Sequence, residues 1–190
     1  YPTHLRPISL LSTLSKLYER LVHAYLYSFT TSSDVLPPQQ TAFLAGKSTD
    51  MHLLSLSQSL RSQVTTTRGF SLLAFLDIQK AHNSVWHDGL LHETISLGYP
   101  PSLSRFAADW LQTRRHQTRI LDHTTSAITY TRGLPQGSTL SCTLFNMFFS
   151  DIVNSLQSRP RLFADDLALE VPGVGPDDVD AKSVILQRDL

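Results

Sequence analysis

The stretch Phe70-Ser-Leu-Leu-Ala-Phe-Leu-Asp-Ile78 is apolar almost without a break, has the length of a strand, and carries a carboxylate near its end, Asp77. A run of this kind reads as a buried strand, and the rest of the chain must supply the sheet that buries it. A second segment, Arg161-Leu-Phe-Ala-Asp-Asp-Leu-Ala-Leu-Glu170, sets two adjacent aspartates between short apolar pieces. Like charges side by side in such surroundings are costly unless something binds them. One reading of Asp165-Asp166 is an exposed hairpin turn, where Asp is common. The other is a metal site, because hard Mg²⁺ prefers carboxylate oxygens and keeps waters and substrate phosphates as its remaining ligands. Two such ions about 4 Å apart activate an attacking hydroxyl and stabilise a leaving pyrophosphate. Two carboxylates on a tight turn need a third from a neighbouring strand, and Asp77 ends its strand in a suitable way. Spacing alone leaves both readings open.

The remaining periodicities are mainly helical. Leu10, Leu14, Leu17, Tyr18, Leu21 and Tyr25 predict a helix from about Ser12 to Phe29, with Ser12 as its cap. Pro37 and Pro38 interrupt the chain, and a second helix is expected over 50–63. "HDGLLHETISLG" reads as a short helix with Gly98 just past its end, and "PPSLSRFAADWLQTRR" as another that starts on proline. "HQTRILD" and "AITYTRG" suggest a hairpin around "HTT". "STLSCTLFNMFFSDIVNSL" suggests one long apolar helix, followed by short strands on either side of the aspartate pair. This order fits an α+β domain better than a regular βαβ array.

Composition bounds the function. The 190 residues suffice for one compact domain or one and a half, and 16 basic against 16 acidic side chains give no global sign of a nucleic-acid partner. A single cysteine, Cys142, excludes an internal disulfide and suggests a reducing compartment. No apolar run reaches the roughly 18 residues that span a bilayer, so no membrane partner is expected. The chain begins without Met and closes on "AKSVILQRDL", an unfinished amphipathic helix, so a fragment of a longer polypeptide is expected. Two tempting motifs fail. "AGKST" has Thr41 where a P-loop needs glycine, and "HDGLLHE" has Ser96 where a second zinc-binding His would stand. The basic run "RRHQTR" (114–119) reads as a solvated turn or, alternatively, as a contact to a nucleic-acid backbone.

Five phrases, in order, resemble one family. They are "LRPISLLSTLSKLYERLV", "LPPQQTAFLAGKSTD", "FLDIQKAHNSVWHDGLL", "TRGLPQGSTLSCTLFNMFFSDI" and "RLFADDLAL". Together they are similar to the reverse transcriptases of non-LTR (LINE-like) retrotransposons, and they are distributed from residue 5 to residue 169. The resemblance implies an α+β fold, the right-hand polymerase with fingers and palm, the thumb missing from the fragment. Residues 1–70 would form the fingers and leading helices, 71–175 the palm with a hairpin at 114–132, and 176–190 the start of a further helix. It implies catalytic carboxylates at Asp77, Asp165 and Asp166, with Asp77 and Asp165 the principal ligands of two Mg²⁺ ions (Mn²⁺ as an alternative) and Asp166 less direct. The carboxylates of Asp77 and Asp165 are then expected within roughly 4–7 Å of each other, on neighbouring strands.

The resemblance also assigns partners and further sites. The reaction would be attack of a DNA primer 3′-hydroxyl on a dNTP, directed by an RNA template, within a parent polyprotein whose other domains are partners. Gln136 and Gly137 would lie in the loop set against nucleotide and template. Lys47 would face triphosphate or template, Arg6 the template, and Phe163 would form an apolar wall near the primer end. His82 would take the place of a Phe that stacks below the sugar and excludes a 2′-hydroxyl. The location would be intracellular, with the nucleus expected for target-primed integration and the cytoplasm as the alternative. Leu44 stands for the family's Arg, His82-Asn83 for Phe-Asp, and Cys142 for Pro. These departures keep open a second reading, a catalytically weak or dead remnant that at most binds nucleic acid. Splicing help of the group II intron type fits the "SVWHDGLL" phrasing less well.

Overall fold

A computed structural model describes residues 8–190. In chain order the elements are α1 (Thr13–Ser32), α2 (Thr49–Thr65), β1 (Phe70–Asp77), α3 (Ala81–Ser84), α4 (His87–Ser96), α5 (Pro101–Gln112), β2 (Arg119–Ile120), β3 (His123–Thr124), α6 (Thr139–Phe148), α7 (Ile152–Ser155), β4 (Arg159–Phe163), β5 (Asp166–Gly173) and α8 (Val179–Asp189). Helices with a small antiparallel sheet match the α+β expectation. The chain divides into two compact units, Tyr1–Val35 with Lys80–Phe148, and Leu36–Gln79 with Phe149–Leu190.

In the first unit, Ser12 caps α1 as expected, its hydroxyl accepting from Ser15 N at 3.1 Å. The helix runs three residues past Phe29, to Ser32. It packs on α6, an apolar helix whose Leu140, Leu144, Phe145 and Met147 are buried. Burying each such side chain stabilises the fold by about 1.5–3 kcal/mol relative to exposing it. Leu103, Ala107, Trp110 and Leu111 form the buried stripe of α5, at the spacing of one helix face. The hairpin turns earlier than expected. Ile120 pairs with His123 across Leu121-Asp122, with Leu121 in the left-handed region (φ 52°), so "HTT" begins the return strand. The expected long helix over 138–156 is also broken. It stops at Phe148, and a single turn, α7, resumes at Ile152. Phe149, Ile152, Val153 and Leu156 pack against Leu162, Leu167 and Leu169.

The second unit is built on the sheet β1-β5-β4, antiparallel throughout. Strand alternation sorts its residues onto two faces. Leu72, Ala74 and Leu76 of β1, Leu167, Leu169 and Val171 of β5, and Leu162 of β4 share one face, whose core also takes in Leu186 of α8. Leu73, Phe75 and Asp77, with Asp166, Ala168 and Glu170, and with Arg161 and Phe163, share the other. That face meets α2 through Ser59, whose hydroxyl donates to the buried Glu170 carboxylate at 2.9 Å. The strand 70–78 exists, but it is an edge strand and not a buried one, with Phe75 71% exposed. Apolar residues on both faces of a strand do not require burial on both.

Candidate active site

The register of the sheet brings the acidic residues together. Asp77, the last residue of β1, pairs directly with Asp166, the first of β5, and Asp166 pairs on its other side with Phe163, the last of β4. These three side chains therefore form a row at one end of a single face. Directly opposed positions hold Cβ atoms about 5 Å apart, and like charges there repel. Asp77 and Asp166 are exposed, while Asp165 is half-buried on the two-residue turn between β4 and β5. Ala164, the first residue of that turn, has φ 57°, a left-handed conformation that costs an L-residue about 1–2 kcal/mol.

A cleft of about 340 Å³ opens beside this row, lined by Asp77, Asp166, Phe75 and Phe163 of the sheet and by His52 and Leu53 of α2. His52 Nδ1 lies 3.1 Å from Thr41 Oγ1, and that hydroxyl gives its one proton to Leu162 O at 3.1 Å. The imidazole must then donate from Nδ1. Burial, aided by the charge on Arg161, lowers the pKa of His52 against the opposing pull of Asp166, so the ring is neutral at pH 7. The ring meets Phe163 edge-on, with centroids 5.9 Å apart. Lys47 is exposed on the turn that leads into α2, with its N–H bonded to Leu44 O, two positions before the cleft-lining Thr49.

The other expected site residues lie in the first unit. His82 stacks face to face on Phe145, with centroids 4.5 Å apart and planes at 11°. Asn83 Oδ1 accepts from Gln136 Nε2 at 3.2 Å, so this amide orients the glutamine without charge. Gly137 has φ 114°, and a Cβ there would come within 3.0 Å of Ser9 O. Its close backbone approach is thus to the chain itself, where Ser9 N also donates to Gln136 O at 2.7 Å. Arg6 lies outside the described residues.

Several functional-looking residues escaped the sequence reading. Glu19, buried in α1, accepts from Trp110 Nε1 (3.1 Å), from Ser138 Oγ (2.6 Å) and from the Arg114 guanidinium. Arg114 also lies over the Trp110 ring, 3.8 Å from its centroid, so this first residue of the basic run is engaged by the fold, whereas Arg115 and Arg119 are exposed. Ser138 Oγ in turn accepts from Leu140 N, tying the loop after Gln136-Gly137 to α1. Nothing in the spacing of α1 marks Glu19. Glu170 was more legible, since it repeats at an interval of two from Asp166 and so shares its face. Gln40 and His52 gave no signal.

The donors suit Mg²⁺ in kind. Two carboxylates in register on an open face, with a third on the adjoining turn, are hard oxygen ligands that leave room for water and phosphate. Among the described residues, no group of three or more His, Cys, Asp or Glu side chains is placed to hold a metal ion, so these carboxylates do not form a closed cage. Nor is any helix among those residues long and apolar enough to cross a membrane.

Residues 2–182 match the family model for reverse transcriptase (RNA-dependent DNA polymerase). The chain is 33% identical over 176 residues to a probable RNA-directed DNA polymerase from transposon BS of Drosophila melanogaster, covering 88% of this chain and 19% of that protein. It is 32% identical over 147 residues to the RNA-directed DNA polymerase from mobile element jockey of the same organism, covering 77% of this chain and 16% of that protein. A Pol polyprotein from the type-1 retrotransposable element R2 of Popillia japonica is 28% identical over 182 residues, covering 88% of this chain and 25% of the polyprotein. The chain thus spans about a fifth of the length of these relatives. Among solved structures, telomerase from Candida tropicalis shares the fold, with a TM-score of 0.63 at 9% identity over 90% of this chain and 30% of that one. The five phrases, the aspartates held in register at the end of the sheet and these relatives agree that the chain belongs to the reverse transcriptase family, in the branch carried by non-LTR retrotransposons.

Proposed function

We propose that this chain is the RNA-directed DNA polymerase domain of a mobile element, extending a DNA primer with dNTPs on an RNA template. The observation that carries the reading is the pairing of Asp77 with Asp166 at the end of the sheet, with Asp165 on the adjoining turn. Opposed carboxylates repel, and bound cations would relieve that repulsion. Asp77, Asp165 and Asp166 would hold two Mg²⁺ ions, or Mn²⁺, which when bound lower the pKa of the primer 3′-hydroxyl and offset the charge of the triphosphate. The protein has little covalent work to do in phosphoryl transfer; its residues position and screen. Phe163, in the row with Asp166, is an apolar wall for the primer end. Lys47, exposed ahead of α2, attracts phosphate. In the first unit Gln136, held by Asn83, and Gly137 form the loop proposed to face nucleotide and template, and His82, held flat on Phe145, takes the sugar-gating place. The sheet unit then belongs largely to the palm, and the segment 36–65 to the fingers.

The test is primer extension on an RNA template with Mg²⁺, comparing the parent polypeptide with Asp77→Asn and Asp165→Asn. Each variant is expected to lose about 10³-fold or more of the activity, the scale of losing a principal electrostatic stabiliser. A parent no faster than Asp165→Asn would instead support the second reading, a remnant that only binds nucleic acid, which the departures at Leu44 and His82 favour.

A further inference from the structure

The aspartate turn is held from outside its own hairpin. The segment leading to α2 runs along the free edge of β4 and pairs with it. Leu162 N donates to Gln39 O and Thr41 N to Leu162 O, each at 3.0 Å, making a parallel bridge between Gln40 and Leu162. From this bridge the side chain of Gln40 reaches the turn. Its Oε1 accepts from Ala164 N at 3.1 Å and from Ala42 N at 3.0 Å. Both partners are donors, which fixes the oxygen at that position. Gln40 is 2% exposed, and Ala42 and Ala164 are buried with it.

Two features set this contact apart from ordinary packing. The Ala164 N–H belongs to the residue in the left-handed region, immediately before Asp165 and Asp166. A strained turn persists only where its surroundings over-determine it. The second feature is Gln40 Nε2, buried and without a hydrogen-bond partner among the described residues. An unsatisfied buried amide is costly, and a leucine would fill similar volume without that cost. Packing alone does not explain a glutamine here, whereas the need for an acceptor at the turn does.

We propose that Gln40 is a positioning residue for the catalytic turn, its side-chain carbonyl fixing the left-handed Ala164 and so aiming the carboxylates of Asp165 and Asp166. The proposal rests on the polymerase reading of those aspartates. Gln40 does not touch substrate; it acts through the backbone of the turn. Thr41, bonded to both Leu162 O and His52, holds the same segment in place from its other side.

The experiment pairs Gln40→Leu, which removes the acceptor, with Gln40→Glu, which keeps it, in the full chain. Steady-state primer extension and hydrogen–deuterium exchange over 161–167 are read on the same samples, below their thermal midpoints. Gln40→Leu is expected to lose about 10²-fold in kcat with KM for dNTP nearly unchanged, the scale of a small misplacement of catalytic groups. Exchange at the Ala164 amide is expected to rise at least tenfold, and Gln40→Glu to restore both most of the way. A purely structural role would lower the thermal midpoint and leave the kcat of the remaining folded protein unchanged, which would overturn the proposal. So would an Ala164 amide that is unprotected in the parent, a measurement that stands even if Gln40→Leu does not fold. Equal exchange at the Ala164 amide in the two variants would overturn it as well. If the parent shows no extension at all, the polymerase reading fails, while exchange at Ala164 still decides whether Gln40 holds the turn.

Discussion

Four acidic residues of this protein form two pairs that differ in their partners. Asp77 and Asp166 are exposed and oppose each other in register. Glu19 and Glu170 are each 1% exposed and fully engaged by the chain itself. Glu170 accepts from Ser59 at 2.9 Å, from Ser71 at 3.2 Å and from Arg161 at 3.2 Å. Burying a carboxylate is tolerated only with such partners, and removing one member leaves the other charge unpaired. Glu170→Ala is expected to destabilise the protein by about 2–4 kcal/mol, below the fully buried range because Arg161 retains some solvent contact. Urea denaturation measures this, and a loss under about 0.5 kcal/mol would show that the pair is worth no more than a surface ion pair. Glu170 was half legible because strand alternation ties it to Asp166, whereas Glu19 was illegible because its partners come from α5 and the loop before α6.

At the scale of elements, local chemistry was a sound guide where it closed within a few residues. Ser12 and Ser48 cap α1 and α2, each hydroxyl accepting from the N–H three residues on. Such a cap is worth about 1 kcal/mol, so Ser48→Ala is expected to lower stability by about that amount and Ser48→Asp to keep it. The comparison of midpoints in thermal unfolding checks this, and an unchanged Ser48→Ala would mean that the first turn of α2 is held by other contacts. Local chemistry misled where distant contacts decide. The apolar pattern over 138–156 reads as one helix, yet the helix stops at Phe148, and Phe149 and Ile152 pack on the sheet core. The turn at Leu121-Asp122 is similar, since a left-handed Leu is not what a turn signal would choose.

For the whole molecule, three histidines make stability depend on pH in the mildly acidic range. Burial lowers the pKa of His23, of His52 and of His116, with Arg114 and His87 adding to the last. An unfolded histidine takes its proton near pH 6.5. Below that pH the unfolded chain binds more protons than the folded one, so stability is full above pH 6.5 and falls as the pH drops through the folded pKa values. Denaturation midpoints at pH 7.5 and 5.5 should therefore differ, with the lower stability at pH 5.5. His23→Gln is expected to make the difference smaller while keeping a hydrogen-bonding group near Thr143, its 3.0 Å partner. Equal midpoints at the two pH values would show that these rings protonate freely in the folded state.

The sequence by itself determined most of the elements, the Ser12 cap and the family, because each is encoded by neighbours in the chain or by phrases that can be matched directly. It could not determine that Asp77 faces Asp166 rather than Asp165, since register is set by how β1 and β5 align along their whole length, from Phe70 opposite Gly173 to the carboxylates. Nor could it show that Gln40 bonds the turn 124 positions away, or that Glu19 gathers Trp110, Arg114 and Ser138. Buried side-chain hydrogen bonds between distant positions have no period and no local motif. They exist because a polar group taken out of water must find a partner wherever the fold brings one near, and only the tertiary structure says where that is.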